Sequence, residues 1–232
     1  MLQIQWSDEI CTISLNISES AFLFDGDNVD ILCQTFRKAA LSTTIKAISL
    51  NITGHISPDA IFTLDIPENY HKNHGLFTFF NQLLQFPKYL SCNISGYITG
   101  LCVNLLCFTD FIIADDNVIL LYPNILHNMT MLGASSRLFE QKFGSAAARK
   151  LLLLGEAVYI SDIRPFIVTE TVYSDIELLE KSNILLDKIK QLSMTSILAN
   201  KDLMINRHES LSDTVLRETQ SFMMLSKQTQ QD

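Results

Sequence analysis

The chain has 232 residues, of which 47% are hydrophobic and 18% charged, and it carries a net charge of −8. This length and apolar content describe one sizeable globular domain with an appendage, and leave apolar surface for burial between subunits. The acidic balance argues against a general nucleic-acid binder, which needs a basic face, and no run of about 20 apolar residues is free of polar interruption, so no membrane span is expected. The start, Met1-Leu2-Gln3-Ile4-Gln5-Trp6, has neither a basic opening nor a long apolar run, so no signal peptide is expected. Cys11, Cys33, Cys92, Cys102 and Cys107 form no CxxC pair and sit mostly in apolar runs, which reads as reduced core thiols of a cytoplasmic protein.

Gln3–Ile17 alternates around Ile4, Trp6, Ile10, Thr12 and Leu15 and reads as a hairpin turning at Ser7-Asp8-Glu9. Asp25-Gly26-Asp27 is a helix-start signal, and Val29–Leu41 follows as an amphipathic helix with Ile31, Leu32, Phe36 and Ala40 on one face. Ile45–Ile52 reads as a buried strand broken by Thr53-Gly54-His55, and Ser57–Asn73, with Pro58 and Pro67, as a long loop. Gly75–Phe86 is a Phe- and Leu-rich helix ended by Pro87, and Leu90–Ile94 is the next strand. Ser95-Gly96 reads as a small-residue turn, and Gly100 opens a nearly uncharged helix ending at Asp110. Phe111–Ala114 and Val118–Leu121 are short strands, Pro123–Leu132 a second loop, and Ser135–Leu154 helical with a break near Gly144 and a stop at Gly155. Tyr159–Tyr173 holds a short helix and strand, and Ile176–Lys227 is helical. Alternating strands and helices predict an α/β core over residues 1–173 with a largely parallel sheet, followed by a helical region over 174–232 that packs on a neighbour.

Asn93–Asp115 organises the chain: a strand, a tight turn and a buried helix bring the helix's first N–H groups to a sheet edge, where they can hold a developing negative charge. The segment Ser95-Gly96-Tyr97-Ile98-Thr99-Gly100-Leu101-Cys102-Val103-Asn104 through Asp110 resembles the N-G-x-x-x-G-G-G-x-E…D segment of the crotonase superfamily, the enoyl-CoA hydratase/isomerase fold. The likeness continues through Ala114, Pro123, Phe143-Gly144, Ala147, Leu151–Leu154, Gly155 and Ser161. It implies a spiral of ββα units with a C-terminal helical oligomerisation region, assembled as trimers or hexamers. It also implies an oxyanion hole for a thioester carbonyl, formed by the backbone N–H groups of Leu64 and Leu101.

The departures from that pattern bear on the chemistry. The family's two catalytic glutamates fall at Asn104 and Asn124, and an amide is no general base near neutral pH. The glycine triplet reads Gly100-Leu101-Cys102. Ser196–Leu203 and Glu218…Phe222-Met223-Met224 are similar to the crotonase-fold decarboxylases of polyketide β-branching. Those proteins also lack the glutamate pair and release CO2 from a 3-methylglutaconyl group on an acyl carrier protein. The resemblance implies no cofactor beyond the phosphopantetheine (or CoA) that carries the substrate, with an acyl carrier protein and further copies of the chain as partners.

In some of those enzymes a Lys and a Tyr after the first oxyanion residue act with a His of the last helix. Here the loop offers Tyr70, His71, Lys72 and His74, with Lys72 eight positions after Leu64, while the last-helix position is Leu225. Lys72, Tyr70 and His71 are the candidate catalytic residues. The same cluster also reads as a polar surface loop, and its two histidines lack the carboxylate or Cys partners of a metal site. Asn104 is either a satisfied core amide or a hydrogen-bond donor facing substrate. Asn124 and His127 are candidate acyl-chain contacts. Asp110 suits turn geometry or an intersubunit contact, Cys102 and Cys107 suit packing, and Arg137, Arg149 and Lys150 are solvated or meet a carrier protein. The readings that remain are a decarboxylase, a related isomerase, or a catalytically silent scaffold subunit.

Overall fold

The structure is a computed structural model and describes residues 2–17, 26–55, 74–122, 125, 130–163, 171–205, 215 and 219. Strands β1 (Leu2–Trp6) and β2 (Ile10–Ile17) form the expected antiparallel hairpin. Ser7 closes it, since its N–H and its hydroxyl both donate to the Ile10 carbonyl at 2.9 Å. Helix α1 (Gly26–Leu41) starts at the acidic turn and buries Val29, Leu32, Phe36 and Ala39. The apolar stripe therefore begins at Val29 and recurs at i+3, i+7 and i+10. Ile31, expected on that face, lies outside the stripe and is exposed, and Ala40 is half-buried beside it.

Next come β3 (Ala47–Gly54), α2 (His74–Leu84), β4 (Tyr89–Thr99), α3 (Leu101–Phe108), β5 (Phe111–Asp115) and β6 (Ile119–Leu121). Helices α4 (Ser135–Phe143) and α5 (Ser145–Leu153) break at Gly144 as expected. The rest is β7 (Val158–Tyr159), α6 (Ile160–Ile163), β8 (Thr171–Val172), α7 (Asp175–Lys190) and α8 (Met194–Ile205). The strands run in the order β1-β2-β3-β4-β5-β8, parallel from β2 onward, with β6 and β7 branching from β4. The fold is α/β with a mostly parallel mixed sheet. Among the described residues no helix is long and apolar enough to cross a membrane.

Alternation along the strands sets the two faces of the sheet. Cys11, Ile13 and Leu15 of β2, Ile48, Leu50 and Ile52 of β3, and Leu90, Cys92 and Ile94 of β4 point into one core. There they meet an aromatic layer from the helices, with Phe36 edge-on to Phe79 at 5.5 Å and to Phe86 at 5.2 Å. The opposite face carries Ser49, Asn51, Ser91 and Asn93. Helix α7 covers part of it, packing Leu185, Leu186 and Ile189 around Ile10, Ala47, Tyr89 and Phe111. Asn93 donates to Ser182 of that helix at 2.8 Å and to Asn51 at 2.7 Å.

The expected turn at Ser95-Gly96 is instead a bend inside one long strand. Strand β4 pairs with β5 over 91–94 and with β6 over 97–99, so it passes from one sheet to the other between them. Gly96 makes the bend at φ 73°, a backbone region that costs other residues about 1–2 kcal/mol. A Cβ there would stand 2.1 Å from the Gly54 carbonyl oxygen, and one on Gly54 would stand 1.7 Å from that of Tyr97. This register pair of glycines lets β3 and β4 touch at the corner and aims β4 at Gly100 and the start of α3.

Candidate active site

Helix α3 is almost wholly apolar and buried from Leu101 to Cys107, so the core fixes its position on all sides. Gly100 caps it at φ 56°, with no side-chain cap, and a Cβ on Gly100 would meet no described atom within 4 Å. Leu101 is the first helical residue, and its N–H therefore has no partner within the helix. The Gly100 N–H is taken by the Leu121 carbonyl at 3.4 Å, and the Gly100 carbonyl by Val103 N–H at 3.0 Å. The Leu101 side chain is buried in the main core. The amide expected to polarise a carbonyl thus stands at the positive end of a rigid helix beside an uncrowded glycine.

Asn104 lies one turn further along the helix and is 0% exposed. Its Nδ2 donates to the Leu132 carbonyl at 3.0 Å, and its Oδ1 has no partner among the described residues. The residue is therefore only half satisfied. The amide's donor is engaged by the protein, and its acceptor is left over. Leu132 introduces a strained turn: Gly133 has φ 72° and Ala134 φ 62°. Gly133 lies so close to Phe80 that a Cβ would approach the ring to 2.4 Å.

The far end of α3 is closed by charge. Lys142 of α4 donates to the Leu106 carbonyl at 2.8 Å, to the Thr109 hydroxyl at 2.8 Å and to the Thr109 carbonyl. A cation on the last carbonyls of a helix is favourable, but burial pushes the Lys142 amine down to about 8. Asp110 takes Lys201 of α8 at 2.7 and 3.0 Å and the Leu90 N–H at 2.8 Å. Asp110 therefore serves the turn and ties α8 to the sheet. Burial pushes the Cys92 thiol up strongly and the Cys102 thiol up to about 12, so both pack as inert apolar groups.

Of the residues singled out in the sequence, Leu101, Asn104, Asp110, Cys102 and Cys107 meet on and around α3. Leu64, Tyr70, His71, Lys72, Asn124, His127 and Leu225 lie outside the described residues, and of His74 only the backbone, at the start of α2, is described. Lys150 forms an exposed pair with Asp162 at 3.8 Å. Sequence reasoning missed Lys142 and treated Ser135 only as a helix start. Lys142 owes its importance to carbonyls at the end of α3, more than thirty residues away, which leaves no local signal.

Comparison with known proteins gives a consistent result. A family model described as enoyl-CoA hydratase/isomerase matches residues 8–232. No curated protein matches the chain. Among solved structures the chain is similar to OdaA of Pseudomonas aeruginosa (TM-score 0.83, 18% identity, covering 97% of this chain and 93% of that one). It is also similar to the enoyl-CoA hydratase of Bacillus halodurans (TM-score 0.80, 19% identity, covering 98% and 96%). At these identities the structural likeness speaks for the fold alone.

Proposed function

We propose, from the premise that this chain belongs to the enoyl-CoA hydratase/isomerase family, that it is a decarboxylase in polyketide β-branching. Its substrate would be a 3-methylglutaconyl-type thioester held on the phosphopantetheine of an acyl carrier protein. The observation that carries the proposal is Asn104. A buried neutral amide, locked by the Leu132 carbonyl, stands where the resemblance puts a glutamate, so this side of the site has no base for alkene hydration. Loss of CO2 needs none. The C–C bond to the carboxylate breaks, its electron pair flows into the conjugated thioester, and the oxygen becomes an enolate. The Leu101 N–H, at a helix start, suits that oxygen, and Leu64 is the second donor in this reading. Lys72, with Tyr70 and His71, orients the carboxylate and returns a proton to carbon, while Asn124 and His127 contact the acyl chain.

The active form in this reading is a homo-oligomer, a trimer or hexamer. Tyr173, just before α7, and Ile176, Leu179 and Ile184 on it are exposed apolar residues that a neighbouring copy would cover. Intact-protein mass spectrometry tests the activity. The loaded carrier protein should lose the mass of one CO2, and Lys72→Ala should abolish the loss with the fold preserved. An unchanged mass with the natural carrier protein overturns the decarboxylase.

A second reading, a related isomerase or a silent scaffold subunit, draws on the same segment, where Leu101 and Cys102 bury side chains in the core next to Gly100. Co-purification with an active homologue and no turnover alone would favour the scaffold.

A further inference from the structure

The sheet ends differently on its two sides. Its far edge is β8, only Thr171–Val172, and the branch ends at β7, only Val158–Tyr159. Edges that short offer little backbone to another strand. The near edge is β1, five residues in unbroken register with β2 and without proline, glycine or charge. Among the described strands only β2 pairs with it. The hairpin fixes which backbone groups lie on its open side. Ser7 N–H donates to the Ile10 carbonyl at 2.9 Å, so Ser7 and Ile10 are a bonded pair. Bonded and non-bonded pairs alternate along an antiparallel ladder, so Gln5 with Thr12 and Gln3 with Ser14 bond across to β2. The N–H and C=O groups of Leu2, Ile4 and Trp6 therefore point away from β2, toward the edge of the sheet.

We propose that this edge pairs with β1 of a second copy of the chain, antiparallel about a two-fold axis at Ile4. The strand Leu-Gln-Ile-Gln-Trp is its own complement. An axis at Ile4 sets Leu2 against Trp6, and Ile4 against Ile4, of the other copy, so every outward backbone group finds a partner. Gln3 then faces Gln5 across the pair, and no like charges meet. Leu2 and Ile4 already pack on the main core, so the pairing joins the apolar faces of both sheets on one side. A stable interface buries roughly 1200 Å2 or more in total, so side chains must add to the strand pair. Trp6, 38% exposed with the Lys38 amine 4.2 Å over its ring, and Leu41, 79% exposed three residues after Lys38 on α1, supply apolar surface at this edge. The contact is separate from α7 and independent of the decarboxylase reading. Where α7 gathers three copies, β1 joins two such trimers into a hexamer.

Native mass spectrometry tests the pairing, with an even number of copies expected. Ile4→Pro removes an outward N–H and leaves the bonds to β2 intact, as proline does on an edge strand. It should halve the mass of the assembly while circular dichroism shows the fold retained. Cysteine pairing reads the register whether or not that variant folds. Gln3 and Gln5 are exposed, and the proposed axis brings their Cα atoms to about 4.5 Å across the two copies, within disulfide reach. Gln3→Cys/Gln5→Cys should give a covalent dimer on mild oxidation. Either single variant should not, because its cysteines stand diagonally about 7–8 Å apart. An odd number of copies, an even number untouched by a folded Ile4→Pro, or a double variant that stays uncrosslinked overturns the proposal. Strand pairing without any CO2 release would sink the decarboxylase and leave the interface standing, and CO2 release from a monomer or trimer would do the reverse.

Discussion

The two ends of α3 face opposite demands. At its C-terminal end the polar groups meet partners: Lys142 reaches the Leu106 carbonyl and both oxygens of Thr109, and Asp110 holds Lys201 and the Leu90 amide. At its N-terminal end the Leu101 amide has no intrahelical partner, Gly100 faces open space among the described residues, and Asn104 and Ser135 each leave an oxygen unpaired. The contrast lies along eight residues of one buried element, so burial alone does not explain it. A helix anchored by charge at one end can hold unsatisfied groups at the other without shifting to satisfy them.

The charged anchor carries the larger share of this helix's stability. Asp110→Ala should destabilise the protein by about 3–5 kcal/mol, the range for removing one partner of a buried ion pair. Lys201 would be left buried and unpaired and the Leu90 N–H without its acceptor. Urea unfolding monitored by circular dichroism measures the loss. A cost below about 1 kcal/mol would show that the pair behaves like an exposed one.

That pair also shows where the sequence was informative. The hairpin, the parallel core strands, the α4–α5 break at Gly144 and the buried helix after Gly100 follow from periodicity and punctuation, which are local. Asp110 was legible as a turn residue, but its partner Lys201 is 91 residues away, and no spacing rule pairs them. Asn104 was legible as a polar residue on a buried helix, but not that Leu132, 28 residues on, engages only its donor. The Ser95-Gly96 turn was misplaced because glycine marks a positive φ without saying whether the chain turns back or merely bends between two sheets.

The approach to the N-terminal end can be tested through that bend. Gly96→Ala combines left-handed strain of about 1 kcal/mol with a Cβ 2.1 Å from the Gly54 oxygen, so β3 and β4 must separate. A loss of roughly 2–3 kcal/mol is expected in the same unfolding assay. Hydrogen exchange should then rise at Leu101–Asn104 before it rises at Lys142. Equal exchange at both ends would mean that the bend does not position the helix start.

The smallest expected effect separates the anchor's charge from its hydrogen bonds. The Lys142 amine, held at about 8 by burial, titrates at 10.5 when unfolded, so between those values the unfolded chain binds more protons and folding gains stability as pH rises. The buried thiols act in the opposite sense. Burial raises Cys11 to about 11 and Cys102 to about 12, with Cys92 higher still, from 9.0 unfolded, so their contribution is complete below pH 9 and is lost above it. Total stability should therefore fall above pH 9, where the raised thiols, Cys33 among them, outweigh the lowered amines of Lys142 and Lys88. Comparison with Lys142→Met removes the thiols from the difference. The stability of the wild type relative to the variant should grow by about 1 kcal/mol between pH 7 and 9, the linkage for one group losing its proton over that span. The remaining neutral amine keeps two donors for the Leu106 and Thr109 oxygens, so α3 should stay capped as the charge leaves. A flat difference would mean that Lys142 keeps its proton throughout and anchors the helix as a full charge.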